Sequence, residues 1–346
     1  MKRIFISLCL FIFTQLCHGQ QVISIGEKQK IFSTILNEER ELWIHLPKSY
    51  FNSDIKKANY PVIYLLDAEI NFSYLATMID FLAKEPFAEI PECILLGITN
   101  TNRTKNFTPT KSWKINPNNP KEILFENSGG AAEFLSFIQI ELKPFVNKNY
   151  RSNGFEIFAG HSFGGLAVLY SFQQNPGLFN AYIANDPSLW WDSSVLVRNF
   201  PKAGIVTKNP AFLFLSKSSD KSHNEEWSKE MKEALLKYQS LIKQENNKNI
   251  FYRNGYYAED DHGTVAFPAT YHALKFIFNG FKTDMKQLVQ SPEILEESYN
   301  SFSAKVSHSF HPSETYLNII INYAKRMKKE NSAKIFEALK REIYGN

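Results

Sequence analysis

Apolar residues follow two rhythms along the chain, short runs and longer helically spaced stretches, and the two alternate from about residue 22 to residue 280. Glu41-Leu42-Trp43-Ile44-His45-Leu46 changes polarity at nearly every step, the period of an early strand. Residues 61–66 form a continuous apolar run, as in a strand buried on both faces. Residues 94–98, 155–159, 181–184 and 211–215 repeat that pattern, and residues 250–257 close the set. Helical spacing predicts helices over 131–146, 163–174, 225–246 and 265–278; in the first, Phe134, Leu135, Ile138, Leu142 and Phe145 share a face. Buried strands alternating with helices predict an α/β fold, a mostly parallel sheet with helices on both sides.

Two stretches break the rhythm. Residues 99–127 are rich in Asn, Lys, Thr and Pro but carry Phe107 and Trp113, so they read either as a lid or binding loop or as a solvated connector. From residue 283 the pattern is helical only, and residues 316–339 resemble one helix-turn-helix of tetratricopeptide type. One such unit cannot bury its own apolar face, so it must pack on the main domain or on a partner protein. This divides the chain into a leader (1–19), a main domain (20–280) and a helical extension (281–346).

The leader follows from Lys2 and Arg3, the apolar stretch 4–13, and Cys17-His18-Gly19 before a cut at Gln20, the plan of a secretory signal peptide. The apolar stretch is well short of the ~20 residues needed to span a bilayer, and no other segment is apolar enough. These features predict a periplasmic or secreted protein without stable membrane insertion. Cys9 and Cys17 fall in the leader, which leaves Cys93 alone inside an apolar run, a core thiol rather than half of a bridge. The net charge of +4 includes Lys2 and Arg3, so the exported chain is nearly balanced. That excludes the clustered basic surface on which nucleic-acid binding depends.

The strongest chemical signal is Gly160-His161-Ser162-Phe163-Gly164-Gly165, a G-x-S-x-G turn between a predicted strand and a predicted helix. The glycines permit a sharp bend that lifts the Ser162 hydroxyl clear at the C-terminal end of the sheet. The amide of Phe163, at the start of the helix, would face a developing oxyanion, and Ala68, in the loop after 61–66, would supply the second donor. A serine hydroxyl needs a base, and in this fold the order is nucleophile, acid, histidine. His262, in Glu259-Asp260-Asp261-His262-Gly263-Thr264 between the last strand and a helix, stands where that base belongs. His272 lies inside the next helix, and His223 follows an earlier strand. For the acid, Asp220 follows the strand 211–215, with Glu225, Glu226, Asp260 and Asp261 as alternatives; a Ser–His pair without a carboxylate is the remaining option. No two histidines stand at metal-ligand spacing, and no G-x-G-x-x-G or P-loop is present.

Several motifs recur in an order that resembles the esterase (esterase D-like) family of α/β-hydrolases over roughly residues 30 to 280. They are residues 61–67, Gly97-Ile98-Thr99-Asn100 with Arg103 and Thr108-Pro109, the Ser162 turn, Pro187-Ser188-Leu189-Trp190-Trp191, and Asp261-His262-Gly263-Thr264. Within the family the likeness is to siderophore esterases that cut enterobactin-type trilactones. The resemblance implies an α/β-hydrolase fold, hydrolysis of a small-molecule carboxylic ester, no cofactor, and substrate contacts from Arg103, His161, Trp190 and Trp191. The two tryptophans are equally compatible with the core. Asn106 stands where relatives often have Asp, and residues 217–224 lack a clear acid motif. A carbohydrate ester (feruloyl or acetyl) and a binding protein on a hydrolase scaffold are the alternatives to the siderophore lactone.

Overall fold

The computed structural model describes residues 24–116, 119–219, 225–245 and 247–345, with 225–228 as backbone only. The leader lies outside the described residues. The amino-terminal part runs β1 (Glu27–Ser33), β2 (Glu38–His45), β3 (Tyr60–Leu66), α1 (Ala68–Leu82), β4 (Ile94–Ile98) and α2 (Arg103–Phe107). A hairpin of β5 (Lys114–Asn116) and β6 (Asn119–Leu124) follows, then α3 (Ala131–Phe137), which passes through a π-helical turn into α4 (Lys143–Asn149). The strand–helix alternation continues as β7 (Ser152–His161), α5 (Phe163–Gln174), β8 (Ala181–Asn185), α6 (Trp191–Arg198), β9 (Ala211–Ser218), α7 (Glu225–Lys243), β10 (Ile250–Tyr257) and α8 (Ala266–Ile277). The chain ends in α9 (Met285–Gln290), α10 (Ile294–Val306), α11 (Glu314–Arg326) and α12 (Glu330–Tyr344).

Eight strands form one sheet in the order β1-β2-β4-β3-β7-β8-β9-β10. β1 and β2 are antiparallel, β2 meets β4 antiparallel, and the rest are parallel. β3, β4 and β8 are buried along their whole length, as continuous apolar runs require when helices cover both faces. This is the α/β-hydrolase arrangement. Its use here is positional: β3, β7 and β8 are neighbours, so the loops that leave their C-terminal ends meet at one edge.

The helices divide between the faces. α3 to α7 cover one side, around Phe134, Phe158, Leu166, Phe172 and Tyr238. α1 and α8 cover the other, and the C-terminal helices join them in a single cluster: Phe155, Ile277 and Phe278 pack with Phe281, Leu295, Phe302, Phe310, Leu317 and Phe336. The contact is aromatic at its centre, with Phe155 5.7 Å from Phe278 and 5.7 Å from Phe310, ring to ring. Each large side chain buried here contributes on the order of 1.5–3 kcal/mol. The apolar faces of α11 and α12 are therefore covered by each other and by the main domain. Cys93 is fully buried and donates to the Pro91 carbonyl at 3.2 Å; burial pushes its thiol pKa up. Among the described residues no helix is long and apolar enough to cross a membrane.

Beyond the expected elements the fold adds β1, the helices α1 and α6, and regular structure within residues 99–127. β1 alternates weakly, because it is an edge strand with one face in water. The polar stretch 99–127 is folded rather than loose: it holds α2 and the β5–β6 hairpin. Thr110 ties it to the body, donating to Asp192 at 2.8 Å and accepting from the Trp191 indole at 3.2 Å.

Candidate active site

β7 runs straight into the turn at Ser162, whose backbone stands at φ 58, ψ −118. A positive φ at a residue with a side chain costs on the order of 1–3 kcal/mol and needs support. The support is local. Ser162 donates its N–H to the Asn185 carbonyl at 3.0 Å and accepts from the Ser188 N–H at 3.1 Å, so the β7–α5 turn is stitched to the loop after β8. A methyl group on Gly160 would sit 2.5 Å from the Gly164 carbonyl, which is why this approach of strand to helix admits no side chain there.

His262 reaches this turn from the loop between β10 and α8. Asp261 shapes that loop by accepting from the Gly263 and Thr264 amides at 2.8 and 3.0 Å, while the Asp260 carbonyl accepts from Ser219 N–H at 2.8 Å. The imidazole Nε2 lies 3.1 Å from Ser162 Oγ. Its Nδ1 lies 2.8 Å from Oδ2 of Asp186.

That partner corrects the expectation for the acid. Asp220 lies outside the described residues, as do the side chains of Glu225 and Glu226. The Asp261 carboxylate is turned into its own loop, and Asp260 engages through its backbone. The position beside Nδ1 belongs to Asp186, one strand earlier than expected, at the end of β8. The strand order explains it: β8 pairs with β7 in parallel, His161 opposite Asn185, so the residue after β8 emerges beside the residue after β7. The available signal was Asn185-Asp186-Pro187, an acid at the C-terminal end of a buried strand, which satisfies the order nucleophile, acid, histidine as well as Asp220 does.

Asp186 is completely buried, at φ 39. Burial alone would raise its pKa; the bonds from His262, from the Ser218 hydroxyl (2.6 Å) and from the Ser218 N–H (3.3 Å) outweigh it and hold the carboxyl below its ordinary range. His161 is the second imidazole of the site, its ring 4.6 Å from that of His262. Burial, and then the neighbouring His262, push its pKa down to about 4. Its Nε2 is buried without a hydrogen-bond partner, so it stands as a neutral wall beside the working imidazole.

Ala68 and Phe163 are the first residues of α1 and α5, positions whose amides have no acceptor within the helix. Asp67, before Ala68, takes the left-handed conformation (φ 55, ψ 51) at the N-terminus of α1. Ser188 was missed by the sequence reading. It is buried, and its Oγ is 3.1 Å from Ser162 Oγ.

The remaining expected contacts divide. Arg103 does not stand free: its guanidinium grips Asp67 and reaches the His161 carbonyl. Trp191 belongs to the core. Trp190 is also buried, under the Lys114 ammonium at 5.2 Å, and both indoles pack with Phe125 and Phe163 into one aromatic wall. Asn106 is buried and donates to the Thr101 hydroxyl at 3.4 Å, away from the serine. A cavity of about 970 Å³ opens at the opposite pole of the sheet, between the strand starts and the C-terminal helices, and is separate from this site.

A hydroxyl, an imidazole and a buried carboxylate in line, on a mostly parallel sheet flanked by helices, define a protein of the α/β-hydrolase class. Within it, the chain belongs to the family described as "Putative esterase", whose pattern matches residues 33–276. It is 31% identical over 199 residues to the ferri-bacillibactin esterase BesA of Bacillus subtilis, a match covering 54% of this chain and 64% of that protein, just under two thirds. It is 28% identical over 206 residues to the siderophore enterobactin esterase of Emericella nidulans, covering 53% of this chain and 68% of that one. Among solved structures, the IroE-like serine hydrolase from Shewanella oneidensis superposes with a TM-score of 0.80 at 30% identity, over 92% of this chain and 99% of that one.

Proposed function

We propose that this protein is a serine ester hydrolase that opens ester bonds of siderophores through an acyl-enzyme. The observation that carries the reading is His262 standing between Ser162 Oγ and Asp186 at hydrogen-bond distance on both sides. The Ser162 O–H donates to Nε2, and Nδ1–H donates to Asp186, so the tautomer is the one a general base requires. As Oγ attacks the ester carbonyl, its proton passes to Nε2. The carbonyl oxygen becomes an oxyanion that accepts from the amides of Ala68 and Phe163. Collapse breaks the ester bond, and His262 returns the proton to the departing alcohol. Water then repeats the sequence on the acyl-serine and releases the acid. His161, held neutral, adds no positive charge that would oppose protonation of His262.

The substrate reading is supported by three relatives whose names describe siderophore esterases, and by a cation, Lys114, at the aromatic wall. One observation favours the carbohydrate ester as a second reading: Trp113, on the strand-entry side of the hairpin, is exposed and available to stack on a sugar ring. The N-terminal pattern supports action outside the cytoplasm, which cell fractionation tests.

Hydrolysis of 4-nitrophenyl acetate, and trapping of Ser162 by a fluorophosphonate seen by mass spectrometry, test the chemistry. Ser162→Ala should abolish both; full turnover in that variant would sink the serine mechanism, whereas a wild-type protein that neither hydrolyses the ester nor is trapped would favour a binding role for the scaffold. Ferric siderophore lactones assayed beside feruloylated xylan decide the substrate.

A further inference from the structure

We propose that Arg103 is a positioning residue that locks together the two loops carrying the oxyanion donors, rather than a hand for the substrate. This rests on the serine-hydrolase reading above. Arg103 begins α2, whose N-cap Asn102 accepts from the Lys105 N–H. From there the guanidinium meets Asp67 side-on: Nε donates to Oδ1 at 2.7 Å and Nη2 donates to Oδ2 at 2.9 Å. The same Nη2 donates to the His161 carbonyl at 3.3 Å. Asp67 immediately precedes Ala68. His161 immediately precedes Ser162 and stands two residues before Phe163. One planar group thus fixes the distance between the strand ends from which both amides project.

The surroundings make the clamp rigid. Asn100 Nδ2 donates to Asp67 Oδ1 at 2.8 Å, and the Asn100 amide donates to Glu69 at 2.6 Å, which ties down the first turn of α1 from its other side. The Asp67 carboxylate lies against the start of α5, so that a methyl on Gly164 would come 3.2 Å from Oδ2. Phe107 and Phe163 stack on the guanidinium with centroids 5.6 and 5.4 Å away. Asp67 is buried and held in the left-handed region, a conformation that relaxes when its side chain loses its partners. Relaxation would swing the Ala68 amide off the oxyanion. Only Arg offers the planar fork that this geometry uses; Lys is a point charge.

The two roles separate by substrate charge. In the full-length protein, Arg103→Ala, Arg103→Lys and Asp67→Asn are compared on neutral 4-nitrophenyl acetate and on anionic 4-acetoxybenzoate. Loss of one oxyanion donor costs roughly 10²–10³ in kcat, and a displaced donor should cost about 10–10². A positioning role gives that loss in kcat, equally on both esters, with KM nearly unchanged and with Lys restoring part of it. The double variant should be no worse than either single one, because both remove the same clamp. Asp67→Asn keeps a residue tolerant of the left-handed region and carries the test should Arg103→Ala unfold in a thermal melt. Loss confined to the anionic ester, a loss carried by KM, an additive double variant, or wild-type rates throughout would each overturn the proposal. Ser162→Ala runs alongside: activity surviving there would defeat the underlying reading, whereas a dead Ser162→Ala beside a fully active Arg103→Ala defeats only this one.

Discussion

Replacing Asp186 by Asn changes one oxygen to an amide nitrogen and should nearly extinguish turnover. The orientation of the new amide is set by what surrounds it. Oδ1 of Asp186 accepts from a backbone N–H, that of Ser218, whose direction is fixed. Oδ2 accepts from the Ser218 hydroxyl and from His262 Nδ1. An asparagine keeps its oxygen toward the fixed backbone donor, since the reverse would set two N–H groups against each other. Its NH2 then faces Nδ1, and the Ser218 hydroxyl can rotate to accept from it. Nδ1 must become the acceptor, which moves the ring proton to Nε2, against Ser162. The imidazole then has no lone pair for the serine proton. In serine hydrolases this tautomer error costs about 10⁴ in kcat, or about 5 kcal/mol at 1.36 kcal/mol per decade. The steric change is nil, so the fold should persist. The assay is initial-rate hydrolysis of 4-nitrophenyl acetate near pH 7.5, with a urea melt to verify folding and Asp220→Asn as the comparison. Turnover within tenfold of wild type in Asp186→Asn, together with a collapse in Asp220→Asn, would show that the acid is Asp220 and that this reasoning is wrong.

Three further outcomes are expected. Folding lowers the His161 pKa to about 4, so the unfolded chain binds a proton that the native state refuses; stability contributed by this residue is full above about pH 6.5 and falls as pH drops toward 4. His161→Gln should flatten Tm across that window, and an unchanged pH profile would contradict the burial argument. Glu85 has the opposite sign. Burial raises its carboxyl to about 7, so the native state pays to ionise it as pH rises through that value; Glu85→Gln should raise Tm at pH 8 and leave it nearly unchanged at pH 4, and equal shifts at both would refute this. Leu317 is wholly buried in the cluster that joins the C-terminal helices to the sheet. Leu317→Ala should therefore cost about 2–5 kcal/mol in denaturant unfolding, and a chain ending at residue 280 should lose its cooperative transition; a truncated chain that melts like the full one would mean the two parts are independent.

The periodicity of apolar residues revealed the buried strands and several of the helices between them, because burial on two faces keeps charged residues out of β3, β4 and β8. The sharp turn at Ser162 and the loop position of His262 were also legible, since each depends on local chain geometry: two glycines where strand and helix touch, and a histidine in the last strand–helix loop. The hairpin in residues 99–127 was not legible, because its strands are exposed and carry no burial pattern. The partner of His262 could not be read either. Asp186 and Asp220 both follow a strand and both fit the order along the chain; only the pairing of β8 beside β7 brings Asp186 to the imidazole. The same holds for the partners of Arg103: only the fold brings Asp67 and the His161 carbonyl to its guanidinium. Local sequence determines which bonds a residue can make. Which neighbour it makes them with depends on strand order, a property of contacts between residues far apart in the chain.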